Sequence, residues 1–185
     1  MPVCSEHRLA APRLQSARLD LIACAGALSL VAYSPQAELE AAIGSPIATD
    51  WLDDEARFLI GYYSDWVLTD PSQAGWGLWF LRERTDGLII GSSGFKGKPD
   101  WHGVIEMGYG ISPQYRRRGY ATEAGMTLRD WAFLNPRVKR ITAECLVRNT
   151  ASRRVLENLG MTHIARDGEY DRWILDRSPA CTTSW

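Results

Sequence analysis

Two hydrophobic periods alternate along the chain, and the positions where the period changes predict the order of helices and strands. Apolar residues at helical spacing predict helices at residues 35–43, 50–69, 120–134 and 149–159. Ser34, Asp50 and Asn149 are expected to cap the first, second and fourth of these helices. Runs rich in β-branched and aromatic residues predict about seven strands. These strands span residues 18–23, 77–82, 88–95, 104–111, 138–147, 161–166 and 170–175.

This order of elements predicts a single α/β domain, in which four helices flank a mixed sheet. A chain of 185 residues is long enough to bury the core of one such domain. Residues 1–17 show neither period and are expected to form a mobile N-terminal arm. The domain then covers residues 18–177, and residues 178–185 form a C-terminal tail.

The composition is that of an ordinary soluble domain and argues against several classes of protein. The chain is 45% hydrophobic and 23% charged, and its net charge of -1 lacks the basic excess of a general nucleic-acid-binding protein. No run approaches the roughly 18 apolar residues of a membrane span, and charged residues interrupt the stretch before Cys24. The four cysteines lie far apart and the three histidines lack metal-ligand spacing. We therefore expect no metal site, no disulfide framework and a cytoplasmic location.

The stretch from Val104 to Ala124 has a pattern typical of an anion-binding site. A strand of residues 104–111 ends at Pro113, which has no N–H for a strand ladder. Three arginines at residues 116–118 and then Gly119 precede a helix. The first N–H groups of a helix lack partners, its dipole adds positive charge, and arginine forks suit phosphate. The alternatives are a solvated turn or a nucleic-acid patch, but no second basic cluster with interleaved aromatic residues accompanies the arginines.

The same residues carry a family resemblance. The run Arg116-Arg117-Arg118-Gly119-Tyr120-Ala121 resembles the [Gln/Arg]-x-x-Gly-x-[Gly/Ala] motif with which GNAT N-acetyltransferases hold the pyrophosphate of acetyl-CoA. Further along, Asn149-Thr150-Ala151-Ser152 and Leu156-Glu157-Asn158-Leu159-Gly160-Met161 resemble the last core helix and strand of that superfamily, in particular of its RimJ/RimL-like branch. The similarity covers roughly residues 87–176, and the two motifs at this separation are fairly specific together.

The resemblance implies the GNAT fold, with a mostly antiparallel sheet, and acetyl-CoA as the acetyl donor. It also implies that the strand of residues 104–111 parts from that of residues 138–147, so that free backbone groups bind the pantetheine arm. Gly108 and Gly110 indicate a bulge or a close backbone approach in the first of these strands, unless they only relieve crowding. The residues expected to bind the cofactor are Tyr109, Ile111, Arg116, Arg117, Arg118, Gly119, Tyr120, Ala121, Thr122, Asn149 and Ser152.

Two side chains are candidates for catalysis of acetyl transfer, which requires a base for the amine and an acid or other stabilisation for the thiolate. Glu106 lies where the superfamily often places a carboxylate, but strand alternation leaves open whether it faces the cleft or solvent. Ser152 matches a serine proposed to lie near the sulfur in RimJ/RimL-like enzymes, although Ser152 and Asn149 also suit a helix start. Residues 150–158 contain no tyrosine, whereas many members of the superfamily use one there as the acid.

The acceptor is the part of the reaction on which the sequence is least informative. By resemblance, the first two helices border its site, and it is a protein N-terminus or a small-molecule amine. Asp50, Asp53, Asp54 and Glu55 suit a cationic amine, but they also suit the helix dipole. Most of the neighbouring aromatic residues are expected to be core. The alternative function is a non-catalytic acyl-CoA-binding module on the same fold. We expect a monomer or homodimer without nucleic-acid or membrane partners.

Overall fold

The computed structural model describes residues 11–178, which contain eight strands and four α-helices. The strands are β1 (Arg13–Gln15), β2 (Leu19–Ala23), β3 (Leu78–Glu83), β4 (Ile89–Phe95), β5 (Val104–Ile111), β6 (Arg140–Leu146), β7 (Thr162–Asp167) and β8 (Tyr170–Asp176). The helices are α1 (Gln36–Ile43), α2 (Asp54–Thr69), α3 (Tyr120–Leu134) and α4 (Thr150–Asn158). All four predicted helices and all seven predicted strands are present, with ends that shift by a few residues.

The strands form one sheet in the order β1-β2-β3-β4-β5-β6-β8-β7, which confirms the predicted mixed and mostly antiparallel sheet. Every neighbouring pair is antiparallel except β5 and β6. A parallel pair needs a long crossover connection, and α3 supplies it. The single parallel pair therefore places the start of α3 at the end of β5, in the middle of the sheet.

Two apolar layers cover the sheet, and β3 shows how the sequence makes both. Trp79 and Leu81 pack with α3 and α4 on one face, whereas Leu78 and Phe80 pack with α1 and α2 on the other. Because successive side chains of a strand point to opposite faces, an apolar run is buried on both sides. Burial of each such side chain contributes about 1.5–3 kcal/mol. This packing makes the centre of the sheet a rigid base for the site.

Three local predictions are wrong. Residues 13–15 were expected to belong to a mobile arm but form β1, which pairs with β2. A strand of three residues is too short to display a period.

Asp53 rather than Asp50 caps α2, and its Oδ1 accepts the Ala56 N–H at 2.8 Å. Helix α1 begins without a side-chain cap, so Ser34 does not have the predicted role. The rest of the arm, residues 1–10, and residues 179–185 of the tail lie outside the described part of the chain.

Residues 11–178 contain neither a membrane-spanning helix nor a cluster of metal ligands. None of the helices there is both long and apolar enough to cross a membrane. In the same residues, no group of three or more His, Cys, Asp or Glu side chains is placed to hold a metal ion. Cys24 and Cys145 are buried free thiols.

Candidate active site

The N-terminus of α3 is built as an anion-binding loop. Gly119 is its N-cap residue with φ +83°, and Arg117 also has a positive φ of 62°. The first helical hydrogen bond is donated by the Glu123 N–H to the Gly119 carbonyl, at 3.0 Å. Within the described chain, no group accepts the backbone N–H of any residue from Arg117 to Thr122. Consecutive free N–H groups at a helix start form a concave positive site that suits phosphate.

The three arginines of this loop occupy different positions. The Nε of Arg116 donates to the Ile111 carbonyl at 2.8 Å, so this side chain joins the loop to the end of β5. The guanidinium of Arg118 lies over the ring of Tyr115, at 5.3 Å from its centroid. Arg117 is exposed beside them. The predicted cationic cluster is therefore at the helix start, and one of its members also organises the backbone there.

Strand β5 pairs with β6 only from Val104 to Glu106, opposite Arg140 to Thr142. The Glu106 carbonyl accepts from the Lys96 N–H and the Ser112 N–H donates to Ile90, so even-numbered residues of β5 bond towards β4. Backbone groups alternate along a strand, and the odd-numbered residues therefore face β6.

Beyond Glu106, the paired registers of β5 and β6 do not continue. The backbone N–H groups of Tyr109 and Ile111 consequently point into the space between the parted strands. Both N–H groups are therefore free of the β5–β6 ladder, and their use by a ligand stays a prediction.

A cavity of about 510 Å³ lies on the α2 side of the sheet, next to the parted strands. The α2 residues that line it are Glu55, Ala56, Leu59 and Tyr63. The sheet contributes Ser92, Ser93, Gly108 and Gly110, among others, and the loop before α2 contributes Asp50, Trp51 and Asp53. Helix α2 thus borders the cavity as the resemblance implied, whereas no residue of α1 lines it.

Gly108 and Gly110 form part of the cavity floor. Strand β5 pairs with β4 in continuous register at both residues, so the predicted bulge is wrong. Relief of crowding is wrong as well, because a Cβ at either position would meet no atom within 4 Å. The two glycines leave the backbone accessible from the cavity, and the close approach of a ligand to them stays a prediction.

Glu106 lies on the cavity face of β5, because it alternates with the core residues Ile105 and Met107. This answers the question that strand alternation had left open. Its carboxylate forms an ion pair with Lys96, which lines the cavity, and its side chain is 30% exposed. Glu106 itself lies at the border of the cavity rather than in its lining.

On the opposite face, Tyr109 meets the first turn of α4. Its phenolic oxygen lies 2.8 Å from Ser152 Oγ, and the phenol also approaches the Ser152 carbonyl at 3.1 Å. Burial raises the pKa of Tyr109 to about 12. Asn149 Oδ1 accepts the Ser152 N–H at 3.0 Å, so the Asn-x-x-Ser pattern forms a helix cap.

A phenol from β5 therefore reaches the first turn of α4, which has no tyrosine of its own. Tyr109 had been assigned to the cofactor site, but its contact with Ser152 was not foreseen. The signal was present in the alternation of Met107, Tyr109 and Ile111, which puts all three on the helix-covered face.

The acidic residues before α2 have structural partners. Ser112 Oγ donates to Asp50 Oδ1 at 2.5 Å, and the Gln114 N–H donates to Oδ2 at 3.2 Å. The hydrogen bond from Ser112 lowers the pKa of Asp50. These contacts join the loop before α2, which lines the cavity, to the residues that follow β5. Asp53 has a different role, since it caps α2. The acidic residues in the first turn of α2 are Asp54 and Glu55, a position that suits the helix dipole.

Most of the aromatic residues near the cavity belong to the core or pack against it, as expected. Trp79 is fully buried in the core. Trp51 and Tyr63 line the cavity, although each is less than a tenth exposed. Tyr62, on the other side of α2, is 43% exposed.

Comparison with known proteins agrees with this architecture. A family model described as an acetyltransferase (GNAT) domain matches residues 26–162. YjdG of Bacillus subtilis (strain 168), an uncharacterised N-acetyltransferase, is 33% identical over 125 residues, which cover 68% of this chain and 74% of that protein.

Solved structures share the fold at low sequence identity. The ribosomal-protein-S5-alanine acetyltransferase of Vibrio fischeri superposes with a TM-score of 0.64 at 14% identity, over 89% of this chain and 96% of that chain. The microcin C7 self-immunity acetyltransferase MccE, in complex with acetyl-CoA and AMP, gives 0.60 at 14% identity, over 87% and 93%. The family match spans most of the chain and includes the loop, the parted strands and α4, and the protein therefore belongs to the GNAT family of N-acetyltransferases.

Proposed function

We propose that the protein transfers the acetyl group of acetyl-CoA directly to a primary amine in a ternary complex. The observation that carries this proposal is the parting of β5 from β6 beyond Glu106 and Thr142. The gap lies between the anion-binding start of α3 and the cavity beside α2. Arg116 of the loop and Gly108 of β5 line the same cavity, which supports a path from a phosphate site to an acceptor site.

The donor is proposed to bind along this path. The free N–H groups at the start of α3 and the arginines beside them suit the pyrophosphate. The N–H groups of Tyr109 and Ile111 suit the amides of pantetheine and the thioester carbonyl. Backbone donors aimed at that carbonyl would stabilise the negative charge that develops on its oxygen during attack.

The reaction joins the amine nitrogen to the acetyl carbon and breaks the bond between that carbon and the sulfur. The attacking nitrogen loses a proton, and Glu106 is the candidate to take it, directly or through a water. Its position on the cavity face of β5 supports this role. Asp50, Asp53 and Glu55 add negative charge that attracts an ammonium substrate.

The leaving group is a thiolate, and Tyr109 with Ser152 is the pair proposed to face it. A pKa of about 12 keeps the Tyr109 phenol neutral and able to donate. Because an ordinary thiol has a pKa of about 8.5, the phenol stabilises the thiolate by a hydrogen bond and does not surrender its proton. The proton that completes CoA then comes from solvent.

The acceptor class is proposed as a primary amine, either a protein N-terminus or a small molecule. Apolar and acidic groups together line the cavity, which suits a cationic amine with an apolar neighbour. A cytoplasmic location and a monomeric or dimeric state remain predictions.

Two measurements test the proposal. Calorimetric titration with acetyl-CoA should show saturable binding, and its absence would reject the function. Thiol release should then be measured against a panel of amines and peptides. Intersecting initial-velocity lines support direct transfer, whereas parallel lines indicate an acetyl-enzyme. Tight binding without turnover across the panel would favour the non-catalytic acyl-CoA-binding module instead.

A further inference from the structure

Arg18, in the turn between β1 and β2, contacts the back of the loop that precedes α3. Its Nη1 donates to the Arg118 carbonyl at 2.9 Å. Its Nε donates to Glu123 Oε2 at 2.7 Å, and its Nη2 lies 2.6 Å from the same oxygen. The guanidinium also lies over the ring of Tyr120, at 4.5 Å from the centroid. One side chain thus touches the loop, the first turn of the helix and the aromatic ring between them.

The contact with Arg118 determines where the next N–H points. In a planar trans peptide, the carbonyl of one residue and the N–H of the following residue point in opposite directions. Because Arg18 holds the Arg118 carbonyl, the Gly119 N–H is directed away from Arg18. No group within residues 11–178 accepts that N–H, which leaves it on the open side of the loop.

The contact with Glu123 removes an unfavourable charge. Burial alone would raise the pKa of Glu123, but hydrogen bonds from Ser16 and Arg18 outweigh it and lower the pKa. The Ser16 hydroxyl and the Arg18 N–H both donate to Oε1 at 2.7 Å. An ionised carboxylate in the first turn of α3 would repel a phosphate group, and the guanidinium of Arg18 neutralises it.

We propose that Arg18 is a positioning residue for the phosphate-binding loop. It orients the peptide between Arg118 and Gly119 towards the pyrophosphate of acetyl-CoA, and it shields that pyrophosphate from Glu123. This inference rests on the proposed use of acetyl-CoA. It gives the segment before β2 a part in donor binding.

The test compares a donor that carries the pyrophosphate with one that lacks it together with the rest of the nucleotide. Dissociation constants of acetyl-CoA and of S-acetyl-pantetheine, which lacks the nucleotide, are measured by calorimetry for the native protein and for Arg18→Ala. We expect acetyl-CoA to bind about tenfold more weakly to the variant, as for the loss of one charge-assisted hydrogen bond. Binding of S-acetyl-pantetheine should change by less than about twofold, on the same scale. Arg18→Lys keeps the positive charge but lacks the forked donors of a guanidinium group. Its affinity for acetyl-CoA should lie between those of the native protein and Arg18→Ala.

Arg84→Ala is the matched control. The Arg84 side chain is 45% exposed, as is that of Arg18, and it donates to the carbonyls of Ser16 and Ala17 in the same turn. Within residues 11–178 its side chain forms no hydrogen bond or ion pair with the loop, so its removal should leave both affinities unchanged. If Arg84→Ala weakens acetyl-CoA binding as much as Arg18→Ala does, the turn acts only as structural support and the proposal is wrong.

Two other outcomes also overturn the proposal. Equal weakening of both donors in Arg18→Ala would show general damage to the site, and unchanged acetyl-CoA binding would show that Arg18 has no part in it. Thermal unfolding of each variant shows whether it folds. If Arg18→Ala has a folding defect, the donor affinities of Arg18→Lys are compared with those of the native protein instead. If the native protein does not bind acetyl-CoA, the proposed function itself is wrong. If the native protein binds and only the Arg18 effect is missing, the proposed function stands.

Discussion

The phenolic oxygen of Tyr109 lies 2.8 Å from Ser152 Oγ, and this contact joins β5 to α4 on one side of the parted strands. The two residues are 43 positions apart in the chain. Their meeting provides a neutral donor pair close to the place where the thioester sulfur is proposed to lie. A buried phenol and a capped helix turn are both rigid, so the pair needs little reorganisation during the reaction.

Replacing Tyr109 by Phe should lower kcat about tenfold and change the KM for acetyl-CoA little, because the lost hydrogen bond is proposed to act on the thiolate formed in the transition state. Ser152→Ala should have a similar effect, and the double variant should lose little more than either single one. Steady-state kinetics measures all three. Tyr170→Phe, at a tyrosine that is 47% exposed on β8, is the control. Fully additive losses would contradict a shared role.

Glu106→Gln should lower the acetylation rate by about a hundredfold near neutral pH, where the amine acceptor is mostly protonated and needs a base. The deficit should shrink at alkaline pH, because the free amine then predominates. The measurement is the pH–rate profile of the variant beside the native profile. Glu144→Gln, at an exposed glutamate of β6, controls for the loss of one negative charge. Superimposable profiles would remove Glu106 from the role of base.

Gly119→Val should weaken acetyl-CoA binding by at least tenfold, because a β-branched residue at φ +83° costs roughly 1–3 kcal/mol and its side chain crowds Arg18 behind the loop, which distorts the phosphate site. Among described atoms within 4 Å, the added Cβ meets only Arg18 Nη2, at 3.4 Å. Gly160→Val is a matched control, since Gly160 has φ +80° and open space around it. Both variants should lose similar stability, but only Gly119→Val should lose affinity. If calorimetry gave Gly119→Val and Gly160→Val equal affinities for acetyl-CoA, the assignment of the loop before α3 to acetyl-CoA binding would be wrong.

Gly110→Val should raise the KM for the amine acceptor severalfold while leaving the unfolding free energy within about 1 kcal/mol of the native value. The side chain would project into the cavity, where the first added atom meets nothing within 4 Å. Gly91→Ala on β4 is the contrasting variant, because its Cβ would lie 2.3 Å from the Gly110 carbonyl. That variant should be strongly destabilised in urea unfolding. An unchanged KM in Gly110→Val would place the acceptor elsewhere.

Local patterns predicted the parts of the site that depend on neighbours in sequence. The strand before Pro113, the arginines, the Gly119 turn and the Asn149 cap lie where the sequence placed them, because helix starts and strand ends are decided by groups a few residues apart. The family motif was recognised for the same reason, since its six residues are consecutive. The limit of this reasoning appears at β1, whose three residues are too few to show a period.

Tertiary structure decided which of these elements meet. Because side chains alternate along a strand, the sequence predicts that Glu106 and Gly108 share a face of β5. Only the packing of α2 shows that this face borders the cavity. The contact of Arg18 with Glu123 spans 105 positions, and no local preference encodes it. The amino-acid sequence by itself therefore determined the glycine loop at the start of α3 and the family. The cavity face of Glu106, the contact of Tyr109 with Ser152 and the support that Arg18 gives the loop depend on contacts between distant segments, which only the folded sheet brings together.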